Sequence, residues 1–98
     1  MSDELRRLRD ILREELPSLR SRYGVSSLEL FGSYLHGVER ADSDLDLLVS
    51  FSDTPGLFRF IDLENHLGDL LGVKVDLVSR ESLKPHIGRR VLSEAVPV

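Results

Sequence analysis

Three aspartates in this chain have the types and spacing for work on phosphate. Asp44 and Asp46 lie two apart at the start of an apolar run, DLDLLVSF, over residues 44–51. Strand side chains alternate between faces and two residues span roughly 6.6 Å, so both carboxylates leave one face close together. Asp76 interrupts a second alternation, Val73, Val75 and Leu77, and points away from it. If the two strands are neighbours with matching faces, the three carboxylates converge. Such a group repels itself strongly unless cations lie between its members. Oxygen ligands of this kind suit Mg²⁺ or Mn²⁺, which bind a few carboxylates together with substrate phosphates. Two such ions about 3.5–4 Å apart can clamp the attacking and leaving oxygens of a phosphoryl displacement.

Gly32-Ser33 stands upstream, with ten residues between Ser33 and Asp44. Glycine lets a phosphate approach the backbone, and Ser33 adds a hydroxyl and an amide at the start of a short helical turn. Simpler readings exist for each residue. Asp44 and Asp46 alone would be strand-edge charges that discourage aggregation, and Asp76 alone an exposed strand residue. Ser33 could cap a helix, and Asp42 and Ser43 read equally as turn formers. The segment from Asp42 also opens like a calcium loop. That loop needs Gly at its sixth position and Glu at its twelfth, where this chain has Leu47 and Asp53. His36 is either a loop filler or a neighbour of phosphate. His66 and His86 are isolated and read as surface residues.

The elements that must hold these groups follow from periodicity. Residues 3–16 have Leu5, Leu8, Ile11, Leu12 and Leu16 at helical spacing, with arginines and acids on the other face. Pro17 ends that helix or opens a further turn that stops at Gly24. Residues 27–31 form a first strand, 44–51 a second and 73–79 a third. Between the last two, residues 57–71 repeat Leu57, Phe60, Ile61, Leu63, Leu67, Leu70 and Leu71 as a second helix capped by Gly72. A last helical stretch starts near Ser82 and is broken by Pro85 and Gly88. This alternation predicts an α/β (α+β) fold, a small mixed sheet with packed helices, as one domain over residues 1–98.

Composition sets outer limits. Of 98 residues, 41% are hydrophobic and 31% charged, close to globular averages. There is no cysteine, which excludes a disulfide scaffold, a zinc ribbon and a thiol nucleophile. No apolar run reaches the roughly 18 residues of a membrane span. The first ten residues mix acids and bases with no apolar run behind them, so a cytoplasmic protein without a signal peptide is expected. The net charge is −4, but residues 24–79 hold 3 basic and 10 acidic side chains. No basic patch suggests direct nucleic-acid binding. The acidic centre is either a solvated surface or carboxylates gathered for metal. Arg80, Lys84, Arg89 and Arg90 make a basic tail, read as a solvated helix face or a docking surface.

Gly32-Ser33, Gly37, Ser43-Asp44-Leu45-Asp46 and the later Asp76 together resemble the minimal nucleotidyltransferases of the DNA polymerase beta superfamily. The resemblance covers nearly the whole chain and implies that superfamily's fold. It implies that Asp44 and Asp46 hold two metal ions, Mg²⁺ or Mn²⁺. Asp76 would bind one of them and help to activate the acceptor hydroxyl. Gly32, Ser33 and Ser43 would bind the nucleotide. Many relatives have arginine where this chain has His36, with Arg40 the nearest substitute. Minimal nucleotidyltransferases of this kind commonly act as antitoxins. They are paired with a HEPN-type toxin, an RNase, on which they AMPylate a tyrosine. The resemblance therefore implies ATP as donor, a HEPN toxin as acceptor and a hetero-oligomer with it. The alternative is a non-catalytic antitoxin that masks the toxin by binding it.

Overall fold

Leu5, Leu8, Leu12 and Leu19 are fully buried along one stripe of the first helix, α1 (Asp3–Tyr23). Each such leucine contributes about 1.5–3 kcal/mol of burial. Ser2 Oγ caps the helix by accepting from Leu5 N at 3.1 Å. The helix runs through Pro17, which is exposed, rather than ending there. Pro17 removes one internal hydrogen bond, but Leu19 anchors the turn beyond it in the core. The computed structural model describes residues 2–40 and 43–98, Ile87 by its backbone alone. Asp42, read above as a turn residue, lies outside the described residues.

The chain continues through β1 (Val25–Phe31), a four-residue helix α2 (Ser33–His36), β2 (Leu45–Phe51) and α3 (Leu57–Leu71). Next come β3 (Val75–Ser79), a 3₁₀ turn at Arg80–Ser82, α4 (Pro85–Glu94) and β4 (Val96–Pro97). The sheet order is β3-β2-β1-β4. β1 runs antiparallel to β2 and β4, and β2 runs parallel to β3 with α3 as the crossover. The sheet is therefore mixed, as expected.

Leu28, Leu30, Leu45, Leu47, Val49 and Leu77 turn one face of the sheet toward the leucine stripe of α1 and toward Leu63, Leu67 and Leu71 of α3. The second helix buries less than its pattern promised. Leu57 is 71% exposed and Ile61 41%, and their neighbour Phe58 is 83% exposed. The buried stripe of α3 is 63, 67 and 71, with Phe60 tilted against Phe51 at 6.1 Å between ring centroids.

The fourth strand has no counterpart among the predicted elements. Two residues ending in proline are too short to show a period. Tertiary contacts make the strand: Leu30 pairs with Val96 and Glu29 with Pro97. Val98 N donates to Leu28 O at 3.1 Å, and Arg13 Nε of α1 donates to Val98 O at 2.7 Å.

Candidate active site

The opposite face of the sheet carries the acids. Asp46 pairs with Phe31 of β1 on one side and with Asp76 of β3 on the other. Residues paired across neighbouring strands share a face, so Asp46 and Asp76 stand side by side. Asp46 is partly buried and Asp76 exposed. The Asp46 carboxyl is pushed up to about 6, first by burial, then by the charges of Asp76 and Asp44 and by its hydrogen bond with Asp76. Asp44 lies one residue before β2 begins, with its Oδ1 4.0 Å from Lys74 Nζ. Lys74 O accepts from Leu45 N at 2.8 Å, which ties the approaches of the two strands together.

Gly32 follows Phe31 directly and closes over Asp46. Its φ of 82° and ψ of −157° suit only glycine. A Cβ at Gly32 would run into Asp46 Oδ2 and lie 2.8 Å from Cγ. The Gly-Ser turn is thereby packed against the carboxylate. Ser33 opens α2, and Tyr34, 9% exposed, pins that short helix into the core. Ser43 shapes the next loop: its Oγ accepts from Arg40 N at 2.8 Å and its N donates to Arg40 O at 2.9 Å. The positions Gly32, Ser33, Ser43, Asp44, Asp46 and Asp76 thus gather at one end of the β1-β2-β3 sheet.

The convergence is looser than the sequence reading supposed. Among the described residues, no three His, Cys, Asp or Glu side chains stand as a ready-made metal cluster. Asp44 stands beside Lys74, with 4.0 Å between Oδ1 and Nζ. The chemistry of the donors nevertheless fits a divalent cation. Asp44 and Asp76 both sit close enough to Asp46 to raise its pKa, and all three offer only oxygen.

Other residues differ from expectation. His36, read above as a loop filler or a neighbour of phosphate, is the last residue of α2, and its Nε2 meets Glu94 Oε2 at 3.2 Å and bridges α2 to α4. His66 is half-buried rather than an isolated surface residue. Its ring lies 5.7 Å from that of Tyr23, and its Nε2 is buried without a hydrogen-bond partner among the described residues. Lys74 and the Glu29–Arg80 pair had no sequence signal. Arg80 Nη1 reaches Glu29 Oε1 at 3.2 Å. Glu29, Leu48 and Val78 share one row of the acidic face, next to the row of Asp46 and Asp76. Leu48 is 1% exposed although it lies on the face away from the main core.

A model of the nucleotidyltransferase domain family matches residues 5–98. The chain is 46% identical over 94 residues to the protein adenylyltransferase MntA of Thermococcus cleftensis, covering 96% of this chain and 95% of that one. A solved structure of a candidate minimal nucleotidyltransferase superposes with a TM-score of 0.75 at 44% identity, covering 88% of each chain. A chain in a toxin–antitoxin crystal structure with AMP-PNP superposes with a TM-score of 0.69 at 26% identity, covering 98% of this chain and 72% of that one. Among the described residues no helix is long and apolar enough to cross a membrane.

Proposed function

This chain belongs to the nucleotidyltransferase domain family, and from that membership we propose that it is the antitoxin of a toxin–antitoxin pair. It acts in the cytoplasm by moving AMP from ATP to a tyrosine hydroxyl of a HEPN-family toxin. The observation that carries the reading is the Asp46–Asp76 pair, side by side on neighbouring strands with Gly32 packed over Asp46. That arrangement sets a glycine-lined phosphate approach against paired carboxylates. The similarity to an adenylyltransferase MntA supports AMP as the transferred group, and the toxin–antitoxin structure with AMP-PNP supports the partner and the donor.

In the proposed reaction the acceptor oxygen bonds to the α-phosphorus, and the bond from that phosphorus to the pyrophosphate oxygen breaks. Pyrophosphate leaves, and Asp76, the exposed member of the pair, takes the hydroxyl proton. Gly32 and Ser33 hold the phosphates. Ser43 keeps its O–H able to donate to a phosphate oxygen while its lone pair serves Arg40 N. Asp44, Asp46 and Asp76 would hold divalent ions, two Mg²⁺ or Mn²⁺, which would supply charge neutralisation for the phosphates and the carboxylates. The protein's own share is positioning.

The test is intact mass spectrometry of the protein encoded next to this one, incubated with this chain, ATP and Mg²⁺. We expect a gain of one or more AMP groups, lost with Asp46→Asn and with EDTA. An unmodified partner would overturn the transferase.

One observation favours a second reading. His36, the position at which the resemblance implies an arginine, is engaged with Glu94. A masking antitoxin needs no triphosphate contact there. Replacing Asp44 and Asp46 together by Asn separates the two, because masking predicts full neutralisation of the toxin by the double variant.

A further inference from the structure

The Gly32-Ser33 turn leads into a helix too short to stand alone. α2 has four residues, and an isolated helix below about 12 residues is marginal in water. Its backbone bonds run from His36 N to Gly32 O at 3.3 Å, from Gly37 N to Tyr34 O at 3.3 Å and from Val38 N to Ser33 O at 3.0 Å. The first two are longer than the usual mode of about 2.9–3.0 Å. Tyr34 pins the middle of the helix in the core. Its end is held by His36, whose Nε2 meets Oε2 of Glu94, 58 positions further along the chain. Glu94 is the last residue of α4, and its other oxygen lies 3.9 Å from Arg90 Nε. Among the described residues this is the one side-chain hydrogen bond between α4 and another element. A continuous path of contacts follows. Glu94 holds the His36 ring, His36 N holds Gly32 O, and Gly32 packs on Asp46.

We propose that Glu94 is a positioning residue for the nucleotide: acting through His36, it holds the Gly32-Ser33 turn in the shape that receives phosphate. This rests on the nucleotide-binding part of the reading above. A carboxylate repels phosphate, so Glu94 acts at one remove. The Nε2 of His36 is spent on Glu94, so the ring is a strut rather than a phosphate contact. Backbone N–H groups hold an anion well only when they are already aimed at it. If the end of α2 frays, His36 N releases Gly32 O and the turn has to be reordered when the nucleotide binds. The other side of the site is held separately. Glu64 Oε2 accepts from Leu77 N, next to Asp76, at 2.9 Å, and that tie shares no residue with the path from Glu94. Loss of Glu94 should therefore loosen the turn and leave the pairing of β2 with β3 intact.

Amide hydrogen exchange and titration with AMP-PNP and Mg²⁺ test this on the ¹⁵N-labelled full chain, with Glu94→Ala and Glu94→Gln beside the parent. In Glu94→Ala we expect the amides of His36, Gly37 and Val38 to exchange about three- to tenfold faster, the size of one lost hydrogen bond. The amides of β2 should keep their rates. AMP-PNP should bind Glu94→Ala about three- to tenfold more weakly. Glu94→Gln keeps an acceptor for His36 and should return both readouts to near the parent. Faster exchange spread through β2 would make Glu94 a general stabiliser and overturn the positioning role. So would unchanged exchange at residues 36–38, or a Gln variant as impaired as the Ala variant. Equal AMP-PNP binding by the parent and Glu94→Ala would overturn this inference alone, whereas a parent that does not bind AMP-PNP would overturn the nucleotide reading with it. The neighbouring-protein assay reports separately on transfer.

Discussion

Asp46 holds its proton to about pH 6, above the ordinary aspartate range, and that has a sign for stability. Between about pH 4 and 6 the folded chain keeps a proton that the unfolded chain has released. Stability contributed by this group is therefore full at low pH and lost as pH rises through that window. Asn at this position cannot ionise. Asp46→Asn should thus be more stable than the parent at pH 7, by about 1–2 kcal/mol after allowing for solvent access. For a domain of this size that is a rise of roughly 4–8 °C in melting temperature per kcal/mol. At pH 4 the two melting curves should nearly coincide, and an equal gap at both pH values would refute the charge origin. A gain in stability from removing a proposed catalytic group is the pattern expected where repulsion is kept for function. The positions gathered here were legible in the sequence because Gly-Ser, Asp-x-Asp and Asp76 are local patterns on predictable strands. Lys74, Glu64, the pairing of Arg80 with Glu29 and the half-buried ring of His66 were not. Each finds its neighbour through the fold, and no spacing in the chain announces the meeting.

Within the elements, Gly68 sits inside α3, where glycine costs about 1 kcal/mol relative to alanine. A Cβ there would meet only Val73 O, at an ordinary 3.5 Å. Packing therefore does not require this glycine. Gly68→Ala should raise stability by about 0.5–1 kcal/mol, measured by urea unfolding. α1, α3 and the first three strands were legible because their apolar periods are long enough to read, whereas α4 starts at Pro85 and runs unbroken through Gly88 to Glu94, where the sequence reading broke it at both. Three further features were not legible. α1 continues past Pro17 because Leu19 is buried. Leu57 and Ile61 of α3 face outward despite helical spacing. β4 exists only through its pairing with β1 and the reach of Arg13 to Val98.

At the scale of the whole molecule, the sheet divides the chemistry. One face is covered by α1 and α3, and the other carries Asp46, Asp76 and Glu29. The described acids of residues 24–79, an ambiguous excess in the composition, thus split between this face and the solvated surface. A ligand that binds only the folded acidic face must stabilise the fold by mass action, by about 2.7 kcal/mol at a hundredfold excess over its Kd. Millimolar Mg²⁺ or Mn²⁺ at pH 7 should therefore raise the melting temperature of the parent chain, and EDTA should reverse the rise. The Asp44→Asn, Asp46→Asn double variant should show no such rise, and a rise equal to the parent's would place the ions elsewhere. The pairing of Asp46 with Asp76 has a further, kinetic consequence. Their strands are joined only through α3, so they meet by a contact between distant parts of the chain, a slow kind of event in folding. Helix signal can return early during refolding from urea, yet a chain in which β3 has not paired with β2 lacks Asp76 beside Asp46. Recovered transfer activity should track the slowest structural phase, and a chain stopped or nicked before β3 pairs with β2 would be silent rather than weak.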